Sequence, residues 1–134
     1  MLEKTIQRLR EVNEEVPIPL RLPTDEEILS AEIALDTKFH PDFKKYLKEA
    51  SDVVFGAVEP LVVVPGDDPL FLPLVAKEAW DYGLPKELFP ICEDNGDYFA
   101  MDKNGQVHYW SHNGETNEKW PDLSTWINEV WLEE

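Results

Sequence analysis

The residues best equipped for chemistry gather between Phe89 and His112, in FPICEDNGDYFAMDKNGQVHYWSH. Glu93, Asp94, Asn95 and Asp97 place oxygen-bearing side chains in one short stretch, and Asp102 with Asn104 adds a second. Carboxylates so grouped could ligate a hard cation, work as an acid/base pair, or grip a basic group on a partner. A calcium loop needs acids at its first, third and fifth positions, glycine at the sixth and glutamate at the twelfth, and neither stretch has that register. His108 and His112 would converge on a metal if they sat on a helix. On a strand, four residues advance the chain by roughly 13–14 Å, too far for two bonds of about 2.0–2.1 Å to one ion. No metal site is assigned, and His112 is instead expected near Asp97 across a hairpin. No Ser/His/Asp signature, phosphate loop or CxxC accompanies the acids, so no catalytic residue and no cofactor is assigned, and the chain reads as a non-enzyme. What remains is binding. Glu93, Asp94, Asp97 and Asp102, exposed around Tyr98 and Tyr109, are together with those two tyrosines the predicted partner-binding residues.

These residues must be positioned by strands. Asn95-Gly96 and Asn104-Gly105 suit the positive φ of tight hairpin turns, which predicts three antiparallel strands over 89–92, 97–103 and 106–112. A two-residue loop at Asn104-Gly105 would set Phe99 opposite Trp110, Ala100 opposite Tyr109, Met101 opposite His108 and Asp102 opposite Val107. Phe99, Met101 and Trp110 then share a face, predicted to meet the helices, and Tyr98, Ala100, Val107 and Tyr109 share the open one. The first hairpin is expected to have a longer loop through Glu93–Asp97, because a two-residue loop would place Asp94 directly against Asp97. Cys92, the only cysteine, follows Ile91 on a predicted strand and reads as a buried structural thiol.

The remaining elements follow from local signals. Leu2, Ile6, Leu9 and Val12 keep helical spacing over 2–13, and Pro17–Pro23 is an extended connection. Thr24 with Glu27 forms a capping-box pattern for a helix over 24–35, with Ile28, Leu29, Ala31 and Leu35 inward. His40-Pro41 opens a third helix that ends near Ala50 and turns Phe43, Tyr46 and Leu47 inward. Val53–Phe55 and Val58–Val64, broken by Gly56 and Pro60, predict two short strands or one kinked strand beside the sheet. Pro65–Pro69 is turn chemistry, and a helix is expected over 74–82, stopped by Gly83 and Pro85. Asn113–Asn117 reads as a polar loop. Asp122 caps a last helix with Leu123, Trp126, Ile127, Val130 and Trp131 on its apolar face.

With 134 residues, 43% hydrophobic, the chain is sized for a single domain, 1–134, with one core. No apolar run approaches the roughly 20 residues that cross a bilayer, and Met1-Leu2-Glu3-Lys4 opens no signal peptide. The single cysteine excludes an internal disulfide and fits a reducing cytoplasm. The formal net charge is −16. Its excess is uneven: residues 1–50 carry 11 acids against 8 bases, and 51–134 carry 17 against 4. Such a field repels nucleic acid and anionic lipid and favours a basic partner. Nothing in the pattern specifies an oligomeric state.

Two stretches carry a family resemblance. His40-Pro41-Asp42-Phe43-Lys44-Lys45-Tyr46-Leu47 is similar to the "LPxDyxxfl" helix of the SUKH superfamily, which includes bacterial proteins like the yeast cell-wall-synthesis regulators of the Smi/Knr type. Phe89-Pro90-Ile91, Gly96-Asp97-Tyr98-Phe99-Ala100-Met101-Asp102, Gly105, Val107, Tyr109-Trp110 and His112 resemble its "PfaxdxxGdxxxxD…G.VyyWxh" pattern. The glycine-rich turn usual after the third helix is replaced by Ala50-Ser51-Asp52. The resemblance implies an α+β domain, a central antiparallel sheet with helices packed against it. It also implies an immunity protein that binds and neutralises a toxin, or alternatively an intracellular regulatory adaptor without one; it implies no catalytic residue.

Overall fold

In the computed structural model, which describes residues 1–66 and 69–133, the helices begun at Thr24, His40 and Asp122 start where those residues predict. Helix α1 (Leu2–Val12) buries Leu2, Thr5, Ile6 and Leu9. Helix α2 (Asp25–Leu35) is started by a complete capping box: the Glu27 N–H donates to Thr24 Oγ1, and Glu27 Oε1 accepts the Thr24 N–H. Hydrogen bonds from Arg21 first, and that N–H second, hold the Glu27 carboxyl down at about 2. Helix α3 (Pro41–Ala50) begins on His40, whose Nδ1 accepts the Asp42 N–H, and buries Phe43, Tyr46 and Leu47.

Helix α2 turns Glu32 inward where Leu29 is expected. Leu29 is 55% exposed, and Glu32 occupies the inner row with Ile28, Ala31 and Leu35. The buried carboxylate is tolerated because it accepts the Phe39 N–H at 2.8 Å and lies 3.3 Å from Lys44 Nζ.

The expected strands over 53–64 form only single bridges. Gly56 turns at φ 61° and Pro60 has no N–H to give, so the segment touches the sheet through Pro60 opposite Cys92 and the Leu61 N–H on Ile91 O. Of the turn predicted at Pro65–Pro69, Asp67 and Asp68 lie outside the described residues. Helix α4 (Leu72–Asp81) starts two residues before its expected position, with Pro73 in its first turn.

The sheet is β1 (Phe89–Asp94), β2 (Asp97–Met101), β3 (Val107–Ser111) and β4 (Gly114–Trp120), antiparallel in that order. Strand β4 replaces the loop expected over 113–117. Thr116, Asn117, Glu118 and Lys119 are all exposed, so this edge strand has no apolar alternation to betray it. Helix α5 (Leu123–Trp126) is capped by Asp122, which accepts the Thr125 N–H and hydroxyl, and continues as a π-helical turn over Ile127–Trp131.

Both hairpin expectations are reversed. The Asn95-Gly96 loop has two residues, with φ 50° and 90°, and it does set Asp94 opposite Asp97. The second loop has three, Lys103-Asn104-Gly105, closed by the Asp102 N–H on Gln106 O and the Gly105 N–H on Asp102 O. Asp102 Oδ1 selects it by accepting the N–H groups of Asn104 and Gln106. The extra residue shifts the register by one. Tyr98 now pairs with Trp110, Phe99 with Tyr109, Ala100 with His108 and Met101 with Val107.

The predicted Phe99/Met101/Trp110 face therefore does not exist, and neither does the open face with two tyrosines. Tyr98 stacks on Trp110 at 6.0 Å on one side of the sheet, both buried. On the other side Phe99 meets Tyr109 at 4.9 Å, Trp120 at 5.6 Å and Trp126 at 5.4 Å.

Gly105 has φ 86°, and a Cβ there would lie 2.9 Å from His40 Nε2. Gly105→Ala is expected to cost more than Gly56→Ala by about 1–3 kcal/mol in urea titrations, because only the first adds a clash to left-handed strain. Equal losses would mean that His40 does not press on the turn.

Candidate functional site

The first hairpin brings Asp94 and Asp97 together, and the second brings Tyr109 and His112 to them. Tyr109 Oη lies 3.1 Å from Asp94 Oδ2 and 3.0 Å from Asp97 Oδ2, so one phenol proton is shared between two acids. The His112 backbone N–H donates to Asp97 Oδ1 at 3.1 Å, and His112 Nδ1 is 2.8 Å from the same atom. The Asp94–Asp97 pairing is thus compensated by three donor groups. Hydrogen bonds from the His112 N–H and then its ring hold the Asp97 carboxyl below the ordinary range. Burial, with the two carboxylates behind it, pushes the Tyr109 phenol up. The result is a pair of acceptor carboxyl groups fixed in orientation, suited to receiving basic donors.

The other predicted site residues are distributed differently. Glu93 is exposed beside Asp94, as expected. Tyr98 is only 2% exposed and has no surface to offer, because the register shift turns it onto Trp110. Asp102 lies at the far end of β2, where its Oδ2 is 2.8 Å from His108 Nε2. The six residues therefore divide into a cluster of Asp94, Asp97 and Tyr109, with Glu93 next in the strand but opposite Tyr98 on the other face, a separate Asp102 paired with His108, and a core tyrosine. His112 completes the cluster where its hairpin placement predicted.

The two histidines serve different carboxylates, and among the described residues no three His, Cys, Asp or Glu side chains converge as metal ligands. Cys92 is buried, with its Sγ 3.6 Å from the carbonyls of Glu59 and Glu93. Burial first, and Asp94 second, push its thiol up to about 12. Folded protein at pH 8 is expected to leave a disulfide reagent such as dithiobis-nitrobenzoate unconsumed over minutes, whereas unfolded protein reacts with one equivalent. Rapid reaction without denaturant would show that the thiol is reachable.

The SMI1-KNR4 cell-wall family model, SUKH_5, matches residues 2–132. The chain belongs to this family. A SMI1-KNR4 match of that extent runs from α1 through the π-helical turn, well beyond the two stretches that carry the resemblance. A protein from Pseudomonas syringae pv. tomato, known from its crystal structure, is 41% identical. It superposes with a TM-score of 0.93, over 98% of this chain and 99% of that one. No curated protein matches. Among the described residues of this SMI1-KNR4 family chain, no helix is long and apolar enough to cross a membrane.

Proposed function

We propose that this SMI1-KNR4 family protein is a protein-binding module, a bacterial immunity protein of the cytoplasm that neutralises a cognate toxin by binding it. Its partner is basic, and binding involves neither catalysis nor a cofactor. The observation that carries this reading is the fixed carboxylate pair at the first hairpin, set in the half of the chain with 17 acids against 4 bases. Preoriented acceptors lose little freedom on binding, and a strongly negative surface speeds encounter with a positive one.

The test is capture and rescue. The tagged protein should retain a basic protein from its native cell, and expression should protect cells from that protein's toxicity. A captured partner with no toxicity to neutralise would assign the chain to the adaptor class. Protection that persists when Asp94 and Asp97 are both changed to lysine would remove the hairpin from the interface.

A further inference from the structure

On the face of the sheet that carries His108 and Trp110, a cleft of about 240 Å³ opens beneath the connection from α4 to β1. Its walls include Pro85 and Leu88 from that connection, Trp110 from β3, and three polar side chains, Glu87, Asp102 and His108. The sequence marks Pro85 only as a helix stop, and only the tertiary fold lays residues 85–88 over β3.

The polar groups of this cleft are mainly acceptors. Asp102 receives the N–H groups of Asn104 and Gln106 on Oδ1 and the His108 ring on Oδ2. Burial works to raise its pKa, but the hydrogen bonds from His108, Gln106 and Asn104 prevail and keep the carboxyl below its ordinary range. The Asp102 carboxylate holds a proton on His108 Nε2, which leaves the other ring nitrogen, Nδ1, as the one turned to other partners. Neither Nδ1 nor the exposed Glu87 carboxylate has a protein partner among the described residues. The nearest base by register is Lys119, opposite His108 on β4. Lys86 is occupied elsewhere, 5.0 Å from the centre of the Trp80 ring.

We propose that this cleft receives the guanidinium group of an arginine from the protein partner, with Glu87 accepting its fork and Trp110 forming the apolar wall. The proposal rests on the reading of the chain as a binder of a basic protein, and it names the side chain recognised. The cleft is smaller than the roughly 300–1,000 Å³ of small-molecule pockets, which suits one side chain better than a whole metabolite. Arginine fits better than lysine because its planar group has five donors, enough to serve a carboxylate and an imidazole at once. It also sheds water more readily and packs flat against an indole.

The probe is N-acetyl-arginine amide, with N-acetyl-citrulline amide as its uncharged control, followed by NMR of the folded protein. The arginine probe should shift the Trp110 indole N–H and the His108 ring resonances along saturating curves, and the citrulline probe should not. Glu87→Gln, at an exposed residue without a structural bond, should weaken binding about two- to fivefold, and Lys119→Gln should tighten it by a similar factor. Equal shifts from both probes, shifts scattered over the acidic surface without saturation, or indifference to Glu87→Gln would each overturn the assignment. A cleft that takes the probe in a protein without a basic partner sinks the proposed function and leaves the site standing. A basic partner whose binding is blind to Glu87→Gln, with a cleft that ignores the probe, does the reverse.

Discussion

Trp110→Ala is expected to destabilise the fold by about 3–5 kcal/mol, the range for deleting a buried tryptophan side chain. Trp110 is 6% exposed, stacked on Tyr98 and 3.6 Å from the position a Cβ would take on Gly83. The size of that loss alone does not distinguish one register from another, but coupling does. A double-mutant cycle of Trp110→Ala with Tyr98→Ala should give an interaction energy of about 0.5–1.5 kcal/mol, the worth of an aromatic pair beyond its burial. The cycle with Phe99→Ala should give much less, since Phe99 and Trp110 project from opposite faces of the sheet. The reverse order of couplings, read from urea titrations, would restore the two-residue loop at Asn104-Gly105. The same geometry makes Tyr98→Ala a folding variant: its effect on a partner would reach the surface only through lost stability.

The second large effect concerns association with a partner. Replacing Glu93 and Asp94 by lysine changes the local charge by four units next to Asp97, and should slow association about tenfold at low salt. The same double change at Glu3 and Glu11 of α1 should do far less, because that half of the chain is nearly balanced, with 11 acids and 8 bases. Salt should then lower the association rate of the native protein steeply and leave dissociation almost unchanged, since screening acts on the approach. Tyr109→Ala should act in the opposite sense, mainly on dissociation, because it removes a half-buried contact and frees the two carboxylates to repel. Stopped-flow rates at two salt concentrations separate these outcomes. Equal slowing by both double variants, or an on-rate indifferent to salt, would assign the acidity to solubility alone.

Much of the scaffold was legible because its determinants are local. The Thr24–Glu27 capping box, Pro41 after His40 and the Asp122 cap each satisfy backbone groups within four residues, so a short window of sequence contains donor and acceptor together. The two Asn-Gly pairs marked the hairpins for the same reason, and His112 could be placed near Asp97 from that pairing alone.

Loop length was a closer contest. Asp102 tips the second hairpin toward three residues through two hydrogen bonds to its own turn, and a one-residue change exchanges the faces of every side chain beyond it. The first hairpin went the other way because the cost of opposing Asp94 and Asp97 is met from 12 and 15 residues away, by Tyr109 and His112. No local rule contains those donors. Strand β4 pairs through its backbone while its central side chains face solvent, and Glu32 is buried because Phe39 and Lys44 reach it from outside its helix. Helix starts and hairpin positions were therefore decided by the sequence acting over a few residues. Which acids stand together and what the cleft contains were decided only by tertiary structure, because charge repulsion and burial are settled by whichever groups the whole chain brings within reach.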